Sequence, residues 1–450
     1  MQRKPTIQYC THFPVIQLIQ LIRLIHVPAG NSSHSPQSLN SSHSFLQFFS
    51  FPHSSNTFAA MRILRIILLW TIGIIALLIA LAYLTGNGHL VKGVRYTYLI
   101  GRSSPEIDDM HVFPFATIPA DQPQPWPTSG RYGKLALLPE QESKLKELYS
   151  VGFAVFQHDS MIFEQYWNGW EADSVSNSFS VAKSYISVLT GIAMGEGKIT
   201  NVFQPVGDFL PEYKEGCHAK IKLYNLLTMS TGLDWSESGA NPFSDNAKGY
   251  YGNDVRKVGL DQPCRDEPGR EFDYISGSTQ IMAEVLEAAY GQPLDVLVRE
   301  KIWGPLGCEH DAYWGKDRED GDFKAFCCLY ATARDFGRIG QLYLDSGMWK
   351  GKQIVPREYW EASITPAPLD DKGKPNQRYG YFWWLAEVDG HPIHYCRGFH
   401  GEYVVVIPHE DLVFVRTGMK REEVNTEGHP TDVFEWIKIA REVASRHAST

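Results

Sequence analysis

Short apolar runs bounded by polar turns mark both ends of the chain's main body, and longer apolar runs with helical spacing fill its middle. Residues 152–157 and 161–166 predict two strands joined by the polar turn His158-Asp159-Ser160. Far down the chain, 379–386, 402–407 and 412–416 predict three more strands, dominated by aromatic and β-branched residues. Pro408-His409-Glu410-Asp411 supplies the turn between the last two. A surface helix is predicted over 139–149, with Pro at its start and acids in its first turn. Further helices are predicted over 180–194, 278–290 and 334–344, each ending near a glycine, and over 430–447. Strands near both ends with helices between them imply a sheet built from distant segments beside a mostly helical lobe. The cleft between two such lobes is a natural place for a site.

One run stands apart. Residues 66–84, IILLWTIGIIALLIALAYL, form nineteen positions without a charge, enough for one helix across a bilayer. Trp70 and Tyr83 lie near its ends, where amphipathic rings favour the headgroup region. Met61-Arg62-Ile63-Leu64-Arg65 gives it a basic start. A cleaved signal peptide would use Ala80-Leu81-Ala82, but the apolar core is long for that. The length favours an uncleaved anchor over 61–85. Either reading makes the protein membrane-anchored or exported, with its body on the periplasmic or other extracytoplasmic side. Before it, 31–58 is rich in Ser, His, Asn and Phe and has no period, so 1–60 is read as an unstructured leader and Met61 as the biological start. The Pro-rich stretch 86–125 is read as a linker, and 126–450 as the folded body.

The chain of 450 residues, 43% hydrophobic, is long enough to bury a sizeable core. Its formal net charge of −9 is unevenly placed: residues 1–105 hold eight Lys/Arg and no acid, the rest 34 Lys/Arg against 51 Asp/Glu. An acidic body lacks the basic face of a nucleic-acid binder. Seven cysteines (Cys10, Cys217, Cys264, Cys308, Cys327, Cys328 and Cys396) include no Cys-x-x-Cys, and no His-Glu-x-x-His is present, so no zinc ligand set stands at metal spacing. The adjacent Cys327-Cys328 pair lies in the apolar stretch AFCCLYATA and is read as buried free thiols.

Three elements carry chemistry. Ser180-Val181-Ala182-Lys183 places an amine one helical turn from a hydroxyl. A serine needs a base to become a nucleophile, and a lysine buried under apolar neighbours has the lowered pKa for that task. A serine at a helix start also brings its own N–H to where an oxyanion develops. The same spacing recurs in Ser143-Lys144-Leu145-Lys146, but on a charged surface helix, where the lysine stays solvated. The setting NSFSVAKSYISVLTGIA distinguishes the first. Tyr274 follows a Pro-Gly turn and precedes a helix, so its phenol can enter a cleft; beside Lys183 it is expected to ionise more easily and relay protons. Finally, in Arg397-Gly398-Phe399-His400-Gly401-Glu402-Tyr403, glycines at a strand edge permit close substrate approach, and an N–H there can act as a second oxyanion donor. His400 is a candidate substrate contact.

This ordered trio resembles the serine β-lactamase and penicillin-binding-protein superfamily, with LLTMSTGLDW at 226–235, IWGPLGCEHDAYW at 302–314, LYATARDFGRIGQLYLDSGMW at 329–349 and YGYFWW at 379–384. The chain is most similar to its class C-like branch, which includes carboxylesterases and aminohexanoate-oligomer hydrolases. The resemblance implies an α+β fold: an antiparallel sheet flanked by helices with a mostly helical second lobe. It further implies a metal- and cofactor-free acyl-enzyme mechanism on a small-molecule or peptide-like amide or ester. Ser180 would be the nucleophile, Lys183 its activator and Tyr274 the proton relay, with the N–H groups of Ser180 and Phe399 as oxyanion hole and Ser276, His400 and Gly401 as substrate contacts. Two departures matter. Ser276 stands where class C lactamases have Asn, and GFHG replaces Lys-Thr-Gly, whose lysine pairs with a β-lactam carboxylate. Both point away from efficient antibiotic hydrolysis and toward amide and ester cleavage. The alternatives are a D,D-peptidase, a true β-lactamase, or a non-catalytic binding protein on the same fold. A rival motif set, Ser244-Asp245-Asn246 with Arg416-Thr417-Gly418, fits less well because Arg416 falls at a strand end.

Overall fold

The computed structural model describes residues 55–449. The chain divides into two compact units, residues up to Leu69 and residues from Trp70 onward, and the second holds the fold described below. The leader 1–54 and Cys10 lie outside the described residues. The apolar run forms part of the helix Ser55–Leu84. Within it, Ala59–Leu84 is, among the described residues, the one helix long and apolar enough to cross a membrane, and its side chains are exposed.

The main sheet has six strands, all paired antiparallel. The strands are numbered along the chain as β1 (Phe115–Ile118), β2 (Ser150–Gln157), β3 (Ser160–Tyr166), β4 (Ser176–Asn177), β5 (Ala312–Gly315), β6 (Leu329–Ala331), β7 (Met348–Trp349), β8 (Lys352–Gln353), β9 (Trp384–Val388), β10 (His391–Arg397), β11 (Tyr403–Ile407) and β12 (Leu412–Gly418). The order β3-β2-β12-β11-β10-β9 brings the two ends of the body together, as expected from strands at both ends of the sequence. The contact is made by β2 and β12, with Val155 opposite Phe414 and Phe153 opposite Arg416. These strands are buried throughout because helices cover the sheet: Thr431–Ser449 packs on β2, β3 and β12, and Ala333–Leu344 on β2, β11 and β12. The helix Ala333–Leu344 starts where the Thr332 hydroxyl accepts from the Asp335 N–H (3.1 Å). A second, short sheet runs β1-β5-β6-β4. The intervening lobe is mostly helical, built on Ala182–Gly195 and Ser276–Tyr290, which pack on one another.

Three expectations need correction, and one strand was not foreseen. The strand foreseen at 379–386 begins only at Trp384; before it Phe382 takes a left-handed backbone (φ 59°) and donates its N–H to Leu227 O (3.0 Å). Strand β10 was hidden by Pro392, which lacks a ladder donor; β11 pairs only from His394 onward, beyond the proline. The supposed linker 86–125 is part of the body. Within it β1 pairs with β5, Ile107, Val112 and Phe113 are buried, and the helix His89–Tyr96 packs on Asp245–Tyr251. Prolines broke its pattern, and its strand partner lies nearly two hundred residues away in sequence. Finally, Cys327 and Cys328, read as free thiols, are bonded to each other, and Cys217 to Cys264; Cys308 and Cys396 are free and buried. Such pairings depend on backbone turns that spacing does not reveal, here a positive φ of 67° at Cys328.

Candidate active site

Strand β4 leads directly into the segment that carries Ser180. Phe179 sits in the left-handed region (φ 43°), a costly conformation for a bulky residue, and Asn177 fixes it. The Asn177 amide oxygen accepts from the N–H groups of Phe179 (2.9 Å) and Cys328 (3.1 Å). Phe179–Val181 forms a single tight turn that runs into the helix Ala182–Gly195, so Ser180 stands at the mouth of the helix and Lys183 in its first turn.

Lys183 is 1% exposed. Its ammonium donates to Ser180 Oγ (3.0 Å) and to the Phe326 carbonyl (2.9 Å), and lies 5.2 Å from the centre of the Tyr274 ring. Burial lowers its pKa to about 8; Glu237 nearby pulls it up, and Arg397 lowers it further. The decoy behaves as foreseen from its setting: Lys146 is exposed and pairs with Glu142 (2.7 Å). Tyr274 departs from expectation. Burial first, then the Glu237 carboxylate, raise its pKa, outweighing the opposing hydrogen bond with Ser180, so the phenol is held neutral.

Ser180 and Tyr274 share one cavity of about 290 Å³, with Lys183 buried behind Ser180. Among its lining residues are Ser180, Tyr274, Ser276, Glu237, Arg397 and Phe399. Glu237 was not foreseen. It accepts from Ser276 Oγ (2.6 Å), Ser276 N–H (2.7 Å) and the Trp235 indole (2.7 Å), tying the start of the helix Ser276–Tyr290, two residues beyond Tyr274, to the loop at 236–241. Burial raises the Glu237 pKa, and Lys183 opposes the shift. A lone acid in WSESG offers no spacing signal that would have exposed it. Arg397 stacks 3.5 Å from the centre of a Trp384 ring and donates to Gly428 O (3.0 Å).

The turn after β10 brings Gly398 against the segment that carries Ser180. A Cβ at 398 would stand 2.7 Å from the Ser178 carbonyl oxygen, so only glycine permits the approach. Among the described residues, neither Ser180 N–H nor Phe399 N–H has a hydrogen-bond partner. Gly398→Ala is therefore expected to push the turn off its seat and lower kcat/KM about 100-fold on any accepted substrate, with an unchanged melting temperature showing that the fold survives. His400 is not among the lining residues but sits directly behind them: its Nε2 contacts the Pro105 carbonyl (2.7 Å) and its ring packs on Phe179 and Phe399. Gly401 lies outside the cavity lining too; it takes φ 86°, and its carbonyl accepts from the Arg416 guanidinium (2.8 Å). Arg416 itself is fully buried, donating also to Ser150 Oγ and to the carbonyls of Leu148, His400 and Lys420. Ser244 caps a helix by accepting from Ala247 N–H (3.1 Å). In the rival motif set, both residues thus hold the fold together.

Residues 140–428 match the family model described as Beta-lactamase. The chain belongs to the beta-lactamase family. It is 25% identical over 296 residues to the 6-aminohexanoate-dimer hydrolase of Paenarthrobacter ureafaciens, covering 62% of this chain and 75% of that protein. Its fold is shared with the structure titled "Putative 6-aminohexanoate-dimer hydrolase from Bacillus anthracis" (TM-score 0.64, 19% identity, 80% of this chain and 94% of that one). A family VIII carboxylesterase also shares it (TM-score 0.53, 14% identity, 69% and 99%). The antiparallel sheet flanked by helices is thus the beta-lactamase fold, and the protein is a β-lactamase-related hydrolase of the amidase or esterase type.

Proposed function

We propose that this beta-lactamase-family hydrolase cleaves an amide or ester through an acyl-enzyme on Ser180. One observation carries the reading: a desolvated lysine amine 3.0 Å from a serine hydroxyl, locked in place by the Phe326 carbonyl. Neutral Lys183 takes the Ser180 proton as Oγ attacks the substrate carbonyl. The developing oxyanion is received by the N–H groups of Ser180 and Phe399. The Tyr274 phenol passes its proton to the leaving nitrogen or oxygen and recovers one from the Lys183 ammonium, which restores the neutral amine. Water then attacks the acyl group by the same route in reverse. Ser276 supports this arrangement by holding Glu237. The absence of Lys-Thr-Gly at Arg397-Gly398-Phe399 favours amides and esters over β-lactams. The helix Ala59–Leu84 serves as membrane anchor or export signal, with the body outside the cytoplasm.

Side-by-side assays of a nitrophenyl ester, a chromogenic cephalosporin and a D-Ala-D-Ala peptide are expected to show turnover of the ester and little of the other two. A fluorophosphonate probe is expected to label the chain at Ser180; no labelling together with no ester turnover would defeat the enzymatic reading. The pH dependence has a definite sign. The base must be unprotonated, and burial sets its pKa at about 8, so kcat/KM rises as pH increases through that value. A flat profile between about pH 7 and 9 would remove Lys183 from the role of base.

A further inference from the structure

Beyond Leu84 the chain turns within Thr85–Gly88 and re-enters a helix, His89–Tyr96, followed by the tight turn Tyr98–Ile100. One face of this segment is seated on the body: His89 Nε2 contacts the Pro242 carbonyl (2.9 Å), Gly93 faces the Tyr251 ring, and Tyr96 packs on Phe113. The other face is bare. Val94 is 46%, Tyr98 68%, Leu99 75% and Ile100 50% exposed. Outside the anchor helix, no other three consecutive large apolar side chains are exposed among the described residues. An apolar cluster of this kind on a soluble surface marks a contact with something.

We propose that Val94, Tyr98, Leu99 and Ile100 rest in the headgroup layer of the membrane that Ala59–Leu84 crosses, docking the catalytic body on the bilayer. The proposal rests on the anchor reading given above. Reach supports it: four residues separate the end of one helix from the start of the next, at most about 14 Å of extended chain, so the short helix that leads to the patch starts near the point where the anchor leaves the bilayer. Charge supports it as well. No Asp or Glu occurs before Glu106, and Arg95 is exposed beside the patch, the polarity that suits anionic lipid headgroups. Tyr98 offers an apolar ring with a polar tip, the residue type that settles at the membrane interface. Docking has a functional side, because Tyr251, on which the helix His89–Tyr96 packs, also lines the catalytic cavity.

The test uses the full chain carrying Cys10→Ser, reconstituted in vesicles of phosphatidylcholine and phosphatidylglycerol. The free thiols Cys308 and Cys396 are buried, so an added cysteine labels selectively with a fluorophore. Three single variants are compared, Leu99→Cys, Trp70→Cys within the anchor and Lys214→Cys on the exposed body, using lipids that carry a quencher near the headgroup. The expected result is a loss of fluorescence at 99 comparable to that at 70, with none at 214. Quenching at 70 but not at 99 overturns the docking while leaving the anchor intact; no quenching at either position overturns both. Excimer formation by a pyrene label at 99 without lipid quenching would assign the patch to a second copy of the chain, which also overturns the proposal.

Discussion

Ser180→Ala is expected to abolish turnover of a nitrophenyl ester, lowering kcat/KM by roughly 10⁴- to 10⁶-fold while leaving the melting temperature within a few degrees of the parent. The hydroxyl is half-buried at the mouth of the helix, and its removal opens no large core void. Lys183→Met is expected to cost about as much, and the double variant scarcely more than either single one, because nucleophile and base act as a unit. The chemical reason lies in the two hydrogen bonds of Lys183. The Phe326 carbonyl holds one N–H and so fixes the amine against Ser180 Oγ, leaving a further N–H for the return of a proton to Tyr274. Burst kinetics on the parent and their loss in Ser180→Ala would complete the case. Residual activity in Ser180→Ala within tenfold of the parent would end it.

The second large effect is at Tyr274. Replacement by Phe keeps the ring that packs at 5.4 Å on Trp384 and 5.8 Å on Tyr379, so stability should barely change. What disappears is the proton path to the leaving group, worth about 10²- to 10⁴-fold in rate. Because the phenol is neutral at working pH, the loss should depend on the leaving group. Amides, whose nitrogen must be protonated before it departs, should suffer far more than activated esters, whose phenolate leaves unaided. Comparing kcat of Tyr274→Phe on an anilide and on a nitrophenyl ester of the same acid measures this directly; equal losses would mean that the phenol does not deliver the proton.

The parts of the site legible in the sequence were those encoded locally. Ser180 and Lys183 lie one turn apart in an apolar run, and Tyr274 stands beside a Pro-Gly turn, so spacing and setting suffice to nominate them. The parts that were not legible depend on distant chain segments. Glu237 enters the cavity because Trp235 and Ser276 supply its donors, and nothing in a loop acid announces such partners. The expectation of an easily ionised Tyr274 considered only the lysine and missed the burial of the phenol first and this carboxylate second. His400 looked like a substrate contact because it neighbours Phe399, yet its ring is claimed by the carbonyl of Pro105, a residue in the stretch mistaken for a linker. At the level of the fold, strand patterns at both ends of the body sufficed to foresee one sheet, whereas Pro392 masked β10 and the prolines of 86–125 masked β1.

Phe399 is 42% exposed, and its ring stands over Gly239, where an added Cβ would come within 3.3 Å. Phe399 and Gly239 thus meet across the wall of the cavity. Under the proposed mechanism the reaction uses the Phe399 N–H, whereas its ring packs on Phe179 and His400. Trimming this ring is expected to enlarge the cavity for bulkier acyl groups, and a methyl at Gly239 to narrow it. Reshaping which molecules enter should start at these two positions.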